Sequence, residues 1–174
     1  MRTLYLIALL AAPALASAQD NGKGPVLSPR DTARGTVGAA HLLVDYGRPS
    51  KRNRVIFGGL VPWGQVWRTG ANAATTFVTD KNLSFGSMTV PAGTYTLYSV
   101  PNEKGSWFLV VNKQNGQWGT EYHQDQDLVR IPMSTKSVGA AVEKFAITIV
   151  PSGSGGDIQL VWDQTEADAP FVVK

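Results

Sequence analysis

The sequence predicts an all-β protein, an antiparallel, jelly-roll-like β-sandwich, on three observations. Short runs rich in Val, Ile, Thr, Phe, Tyr and Trp recur from Thr36 onward between Gly, Pro, Asn and Asp, the spacing of strands and turns in a sandwich or barrel. Several runs alternate: Phe145, Ile147 and Ile149 fall on one face and Lys144, Ala146 and Thr148 on the other, as a two-residue side-chain period requires. Helical periodicity is nearly absent.

The chain opens with Arg2, an apolar run over residues 4–15 and Ala16-Ser17-Ala18 before Gln19. That order is a secretory signal peptide over residues 1–18, and about a dozen apolar residues are too few to span a bilayer. The expected product is an exported chain, periplasmic or extracellular, with no transmembrane segment after cleavage. Residues 19–35, with Gly22, Gly24, Pro25 and Pro29, read as a flexible lead-in. Residues 36–174 then read as one domain, enough for a single core.

Strands are expected over 41–46, 74–79, 94–100, 107–112, 128–133, 144–150 and 158–162. Residues 107–111 are apolar on both faces, which places that strand centrally. Pro91-Ala92-Gly93 between residues 87–90 and 94–100 suggests a hairpin, with Gly93 suited to positive φ. Asn115-Gly116 marks another turn. Residues 152–157, Ser-Gly-Ser-Gly-Gly-Asp, join two alternating strands and read as a flexible hairpin loop, since a phosphate cradle would open a helix.

Several functions are excluded or left without support. The chain has no Cys, so disulfides, thiolate metal sites and a Cys nucleophile are absent. The net charge of +3, lowered by one when Arg2 leaves with the leader, is too small to imply nucleic acid. No Gly-x-Ser-x-Gly elbow is present.

The densest unusual segment is 46–72, expected to fold as a long structured loop over one end of the sheets. It holds Tyr46, Arg48, Trp63, Trp67, Arg68 and Asn72. Arg68 carries five donors and Asn72 both a donor and an acceptor, so beside Trp rings they suit a carboxylate, phosphate or sugar. The alternative is that Arg68 braces the loop by bonding its carbonyls. Trp118 and Tyr122 follow a turn and could add stacking surface, or pack at the rim of the core. Arg48, Lys51, Arg52 and Arg54 place four cations in seven residues, suited to an anionic surface or simply solvated.

Only two His are present, His41 and His123. With Asp125 they are weak metal candidates against the plainer reading of a polar loop, and no cofactor is expected. A hydrolase using His123 with Asp125, or His41 with Asp45, possibly cation-assisted, remains open on residue type alone.

Three blocks carry a resemblance: Ile56-Phe57-Gly58-Gly59-Leu60-Val61-Pro62, Val66-Trp67-Arg68-Thr69-Gly70-Ala71-Asn72, and Pro91-Ala92-Gly93-Thr94-Tyr95. With Asn115-Gly116-Gln117-Trp118-Gly119 and Pro170-Phe171 they resemble the bacterial family catalogued as domain of unknown function 2911, over nearly all of the mature chain. The resemblance implies a small exported all-β domain and assigns no catalytic or binding residue. The expectation from the residues is a noncatalytic module for a small polar or anionic ligand, or for an envelope protein partner.

Overall fold

The computed structural model describes residues 27–174; the expected signal peptide and the start of the lead-in lie outside them. Nine strands follow in order: β1 Arg30–Val37, β2 Ala40–Gly47, β3 Thr75–Thr79, β4 Leu83–Phe85, β5 Met88–Val90, β6 Gly93–Val100, β7 Trp107–Asn112, β8 Asp127–Ser152 and β9 Gly155–Val173. They are ordered β1-β2-β3-β6-β7-β8-β9-β4-β5, and every ladder between them is antiparallel. The one helical piece among the described residues is a 3-10 turn, Gln124–Gln126.

Strand β8 joins two layers. Its first residues pair with β7 and the rest with β9, and irregular register between Ser137 and Ala146 bends the long hairpin, as bulges do. The sheet is thereby turned back on itself. A Cβ on Gly35 of β1 would lie 2.5 Å from Ile149 of β8, Tyr46 of β2 packs edge-on to Phe145, and the Ile147 amide donates to the Tyr46 hydroxyl at 3.0 Å. The layers meet on the alternating residues expected from the sequence: Phe145, Ile147, Ile149, Ile158, Leu160 and Trp162 are all buried. β7 is central, between β6 and β8.

The structure revises several expectations. Residues 30–35, expected within the lead-in, form most of β1, paired with β2 over its whole length. Ala33, Gly35 and Val37 face the core, and two of these are too small to write a period-two signal. Residues 91–93 join no hairpin, because β5 pairs with β4 while β6 lies between β3 and β7. Gly93 does not have positive φ; a side chain there would meet the Tyr95 ring, whose hydroxyl sits 2.9 Å from an added Cβ. The expected strands 128–133 and 144–150 are one strand, β8, and 158–162 is the middle of β9. Between those two only Gly153 and Ser154 form the turn.

The curl of β9 brings its ends together, with the Val173 amide donating to the Ser154 carbonyl at 3.2 Å. Carboxylates gather there. Lys136 bonds Glu166 at 2.8 Å and Asp168 at 3.2 Å, while one oxygen each of Asp157 and Asp168 is buried without a partner among the described residues. Burial raises the pKa of Asp157, and the charge of Asp168 adds to the rise. A carboxyl raised in the folded state contributes stability at low pH that is lost as pH rises through its folded pKa. Asp157→Asn should therefore raise the melting temperature at pH 7, and the gain should vanish as the pH falls to the ordinary Asp value of 3.8 and below. Thermal melts of both proteins across that range are the check.

Candidate functional site

Residues 48–74, between β2 and β3, contribute no strand, so their backbone groups must find partners elsewhere. They find them on the end of the sandwich. The Arg48 amide donates to Pro29 at 2.8 Å, Lys51 to Glu143 at 2.7 Å and Gly64 to Pro101 at 2.7 Å; the Phe145 amide donates to Pro49 at 2.9 Å. Trp67 and Ser99 exchange two bonds, of 2.7 and 2.9 Å. Apolar contact adds to this: Ile56 and Val61 are buried, Phe57 meets Trp107 edge-on at 4.6 Å, and Trp67 stacks on Trp162 at 5.6 Å and 19°.

Under this cap lies a cleft of about 640 Å³. Three arginines, Arg52, Arg54 and Arg68, line it, and no Asp or Glu does. Its aromatic walls are Trp67, Tyr98, Tyr122 and Trp162, with Leu27, Leu60 and Val66 adding apolar surface. Like charges so placed and uncompensated within the cleft favour an anion there.

Each Arg is partly held by backbone. Arg52 Nη2 donates to Leu27 O at 2.9 Å; Arg54 bonds Lys51 O at 2.9 Å and Ser50 O at 2.6 Å. Arg68 Nε donates to Gly70 O at 3.2 Å, while its two terminal nitrogens have no protein partner among the described residues. Arg68 therefore braces its own loop through Nε and lines the cleft as well. The loop that carries it is held in an uncommon backbone state: Thr69 has φ 49° and Asn72 φ 65°. For a β-branched residue this region costs on the order of 1–3 kcal/mol. Buried Thr69 is fixed there by its hydroxyl on Ser99 Oγ at 3.0 Å and by Thr75 Oγ1 donating to its carbonyl at 2.9 Å.

The tyrosines stay neutral. Burial, reinforced by Asp127, pushes Tyr122 up to about 12; its hydroxyl donates to Asp127 at 2.6 Å and accepts from Arg130 at 2.7 Å. Burial also raises Tyr98, which donates to Glu121 O at 3.0 Å. The cleft's charge is therefore that of its arginines.

Of the residues expected from sequence, the cleft brings together Trp67, Arg68, Asn72 and Tyr122. The others lie outside its lining. Tyr46 is buried under β8; Arg48 is bound to Asp31 at 3.1 Å and to Phe145 O at 3.0 Å; Trp63 stacks over Phe57; Trp118 is exposed beside Gly119. The basic run divides, Arg48 and Lys51 going to Asp31 and Asp163 and Arg52 and Arg54 to the cleft. Sequence reasoning had not joined those two, Tyr98 or Trp162 to Arg68; the four-cation run was the available signal for the arginines, and nothing local marked Trp162.

Among the described residues no side-chain hydrogen bond joins His41 to Asp45, one of the two candidate hydrolase pairs. His41 bonds Asp80 at 2.9 Å, and Asp45 is engaged by Arg30 and Thr32. His123 and Asp125 are exposed and share no side-chain hydrogen bond among the described residues. No group of three His, Cys, Asp or Glu residues suited to a metal occurs among those residues.

Fold and cleft together define an antiparallel β-sandwich with a basic, aromatic-walled cleft under a loop cap. The family described as "Protein of unknown function (DUF2911)" matches residues 28–171, and the chain belongs to that family. No curated protein and no solved structure matches it.

Gly119 seats Arg68: a Cβ there would lie 2.8 Å from Arg68 Cδ and 2.7 Å from the Asn72 carbonyl oxygen, to which the Gly119 amide donates at 2.9 Å. Gly119→Ala should cost about 1–3 kcal/mol, as overpacking does. Gly139→Ala, which meets nothing within 4 Å, should leave stability nearly unchanged; denaturant unfolding of the two variants distinguishes them.

Proposed function

We propose that this protein is an exported, noncatalytic binding module whose cleft takes a small organic anion. A carboxylate or phosphate sits among Arg52, Arg54 and Arg68, and the body of the ligand rests against the aromatic and aliphatic walls. The observation that carries the reading is the presence of three arginines in the lining of one cleft that has no acidic residue. Guanidinium forks bind such groups in two-point fashion. The leader over residues 1–18 supports export. The volume suits a ligand rather than a bare ion, since small-molecule sites span roughly 300–1,000 Å³.

Calorimetric titration with phenyl phosphate, glucose 6-phosphate and benzoate tests the reading. At least one should bind, and Arg68→Ala should weaken it by about tenfold or more, the worth of a charge-assisted bond, with little change in melting temperature. Because the cleft's own charge is constant near neutrality, affinity for a phosphate monoester should rise as pH increases through the ligand's second ionisation, at about 6. Affinity for benzoate should stay flat over the same range. Absence of binding by all three probes, or a collapse of folding in Arg68→Ala, would count against the reading.

A further inference from the structure

Two residues of the cleft lining, Leu27 and Leu60, are also exposed at the surface. Seven large hydrophobic side chains are exposed among the described residues: Leu27, Val55, Leu60, Trp63, Trp118, Val150 and Val172. The first five belong to the cap or to segments bonded to it. Val55, Leu60 and Trp63 lie in the cap itself, the Leu27 carbonyl accepts from Arg52, and Trp118 bridges to Ala73. They are between 36% and 72% exposed. Single exposed hydrophobes need no explanation, but three in one cap segment, with Leu27 and Trp118 on segments bonded to it, do.

We infer that this end of the sandwich docks on an anionic lipid surface, with lipid phosphates entering at Arg52, Arg54 and Arg68 and Val55, Trp63 and Trp118 resting in the interfacial layer. The inference rests on the anion-binding reading of the cleft and assigns that anion to a lipid. Charge complementarity argues for this occupant. Of the carboxylates near the cap, Asp31 is paired with Arg48 and Asp163 with Lys51, while Glu143 accepts from the Arg52 amide and keeps its charge. No Asp or Glu lines the cleft, so the charge of its lining is that of Arg52, Arg54 and Arg68. Basic side chains beside Trp and Leu are the combination that holds a protein at a headgroup boundary. Trp63 is presented rigidly, stacked on Phe57 at 6.1 Å and packed against Trp107 at 6.3 Å, so little ordering accompanies its insertion.

Co-sedimentation with vesicles of phosphatidylcholine, with and without phosphatidylglycerol, tests the inference beside calorimetry with free glycerol phosphate. The wild-type protein should bind the vesicles that contain phosphatidylglycerol, less so in high salt, and leave pure phosphatidylcholine unbound. The double variant Val55→Ser/Trp118→Ser, at two exposed residues outside the cleft's lining, should lose about tenfold in vesicle partition while keeping its melting temperature and its affinity for glycerol phosphate. Binding of glycerol phosphate without vesicle binding overturns the docking and leaves the cleft reading intact; failure of both overturns both. Equal partition of variant and wild type, or a wild-type dimer in sedimentation velocity that the double variant abolishes, also overturns it, the dimer by showing that a second copy covers this face.

Discussion

Residues 48–74 must satisfy an irregular backbone against the end of a β-sandwich, and the cleft exists because they do. The bonds that hold them reach into both layers: Ser99 and Pro101 at the end of β6, Glu143 and Phe145 in β8. Buried backbone groups left unpaired would each cost roughly 1–3 kcal/mol, so a cap of this kind is either fully anchored or not formed. The Trp67–Trp162 stack adds an apolar pin at the same place. A rigid cap can then hold Thr69 and Asn72 at positive φ beside Arg68, which lines the cleft with Nε tied to Gly70.

Charge is distributed by the same framework. Arg48 and Lys51 are drawn to the carboxylates of Asp31 and Asp163, whereas Arg52 and Arg54 are held by carbonyls, which orient a guanidinium without neutralising it. With Tyr98 and Tyr122 kept protonated by burial, the cleft keeps a positive charge that changes little around neutral pH. An anion entering it replaces water in a partly enclosed space, where such interactions are stronger than at an open surface.

The fold was legible wherever side-chain size carried the alternation. Phe145, Ile147 and Ile149 against Lys144, Ala146 and Thr148 wrote a strand that the structure contains, and the two-faced apolar run from Trp107 marked the central β7. The signal failed where inward positions were small or the ladder was bent. Ala33 and Gly35 hid β1, and the irregular register between Ser137 and Ala146 hid the continuity of β8. Half of the residues expected at a site meet in the cleft lining for a related reason: Trp67, Arg68 and Asn72 are local to one block, and Tyr122 lies beside a turn. Trp162 and Tyr98 arrive from other strands, and their strand pattern reads only as core. The division of the basic run depended on Asp31 and Asp163, partners far away in sequence, which no local pattern reports.

Native-state hydrogen exchange measures the anchoring of the cap most directly. The amides of Lys51 and Trp67 should exchange only through the global opening that also releases β7, with the same free energy as Leu109 and Val111. Exchange of Lys51 and Trp67 through local opening, fast while β7 stays protected, would contradict the account, because a cap that detaches alone could not hold Arg68 over a preformed cleft.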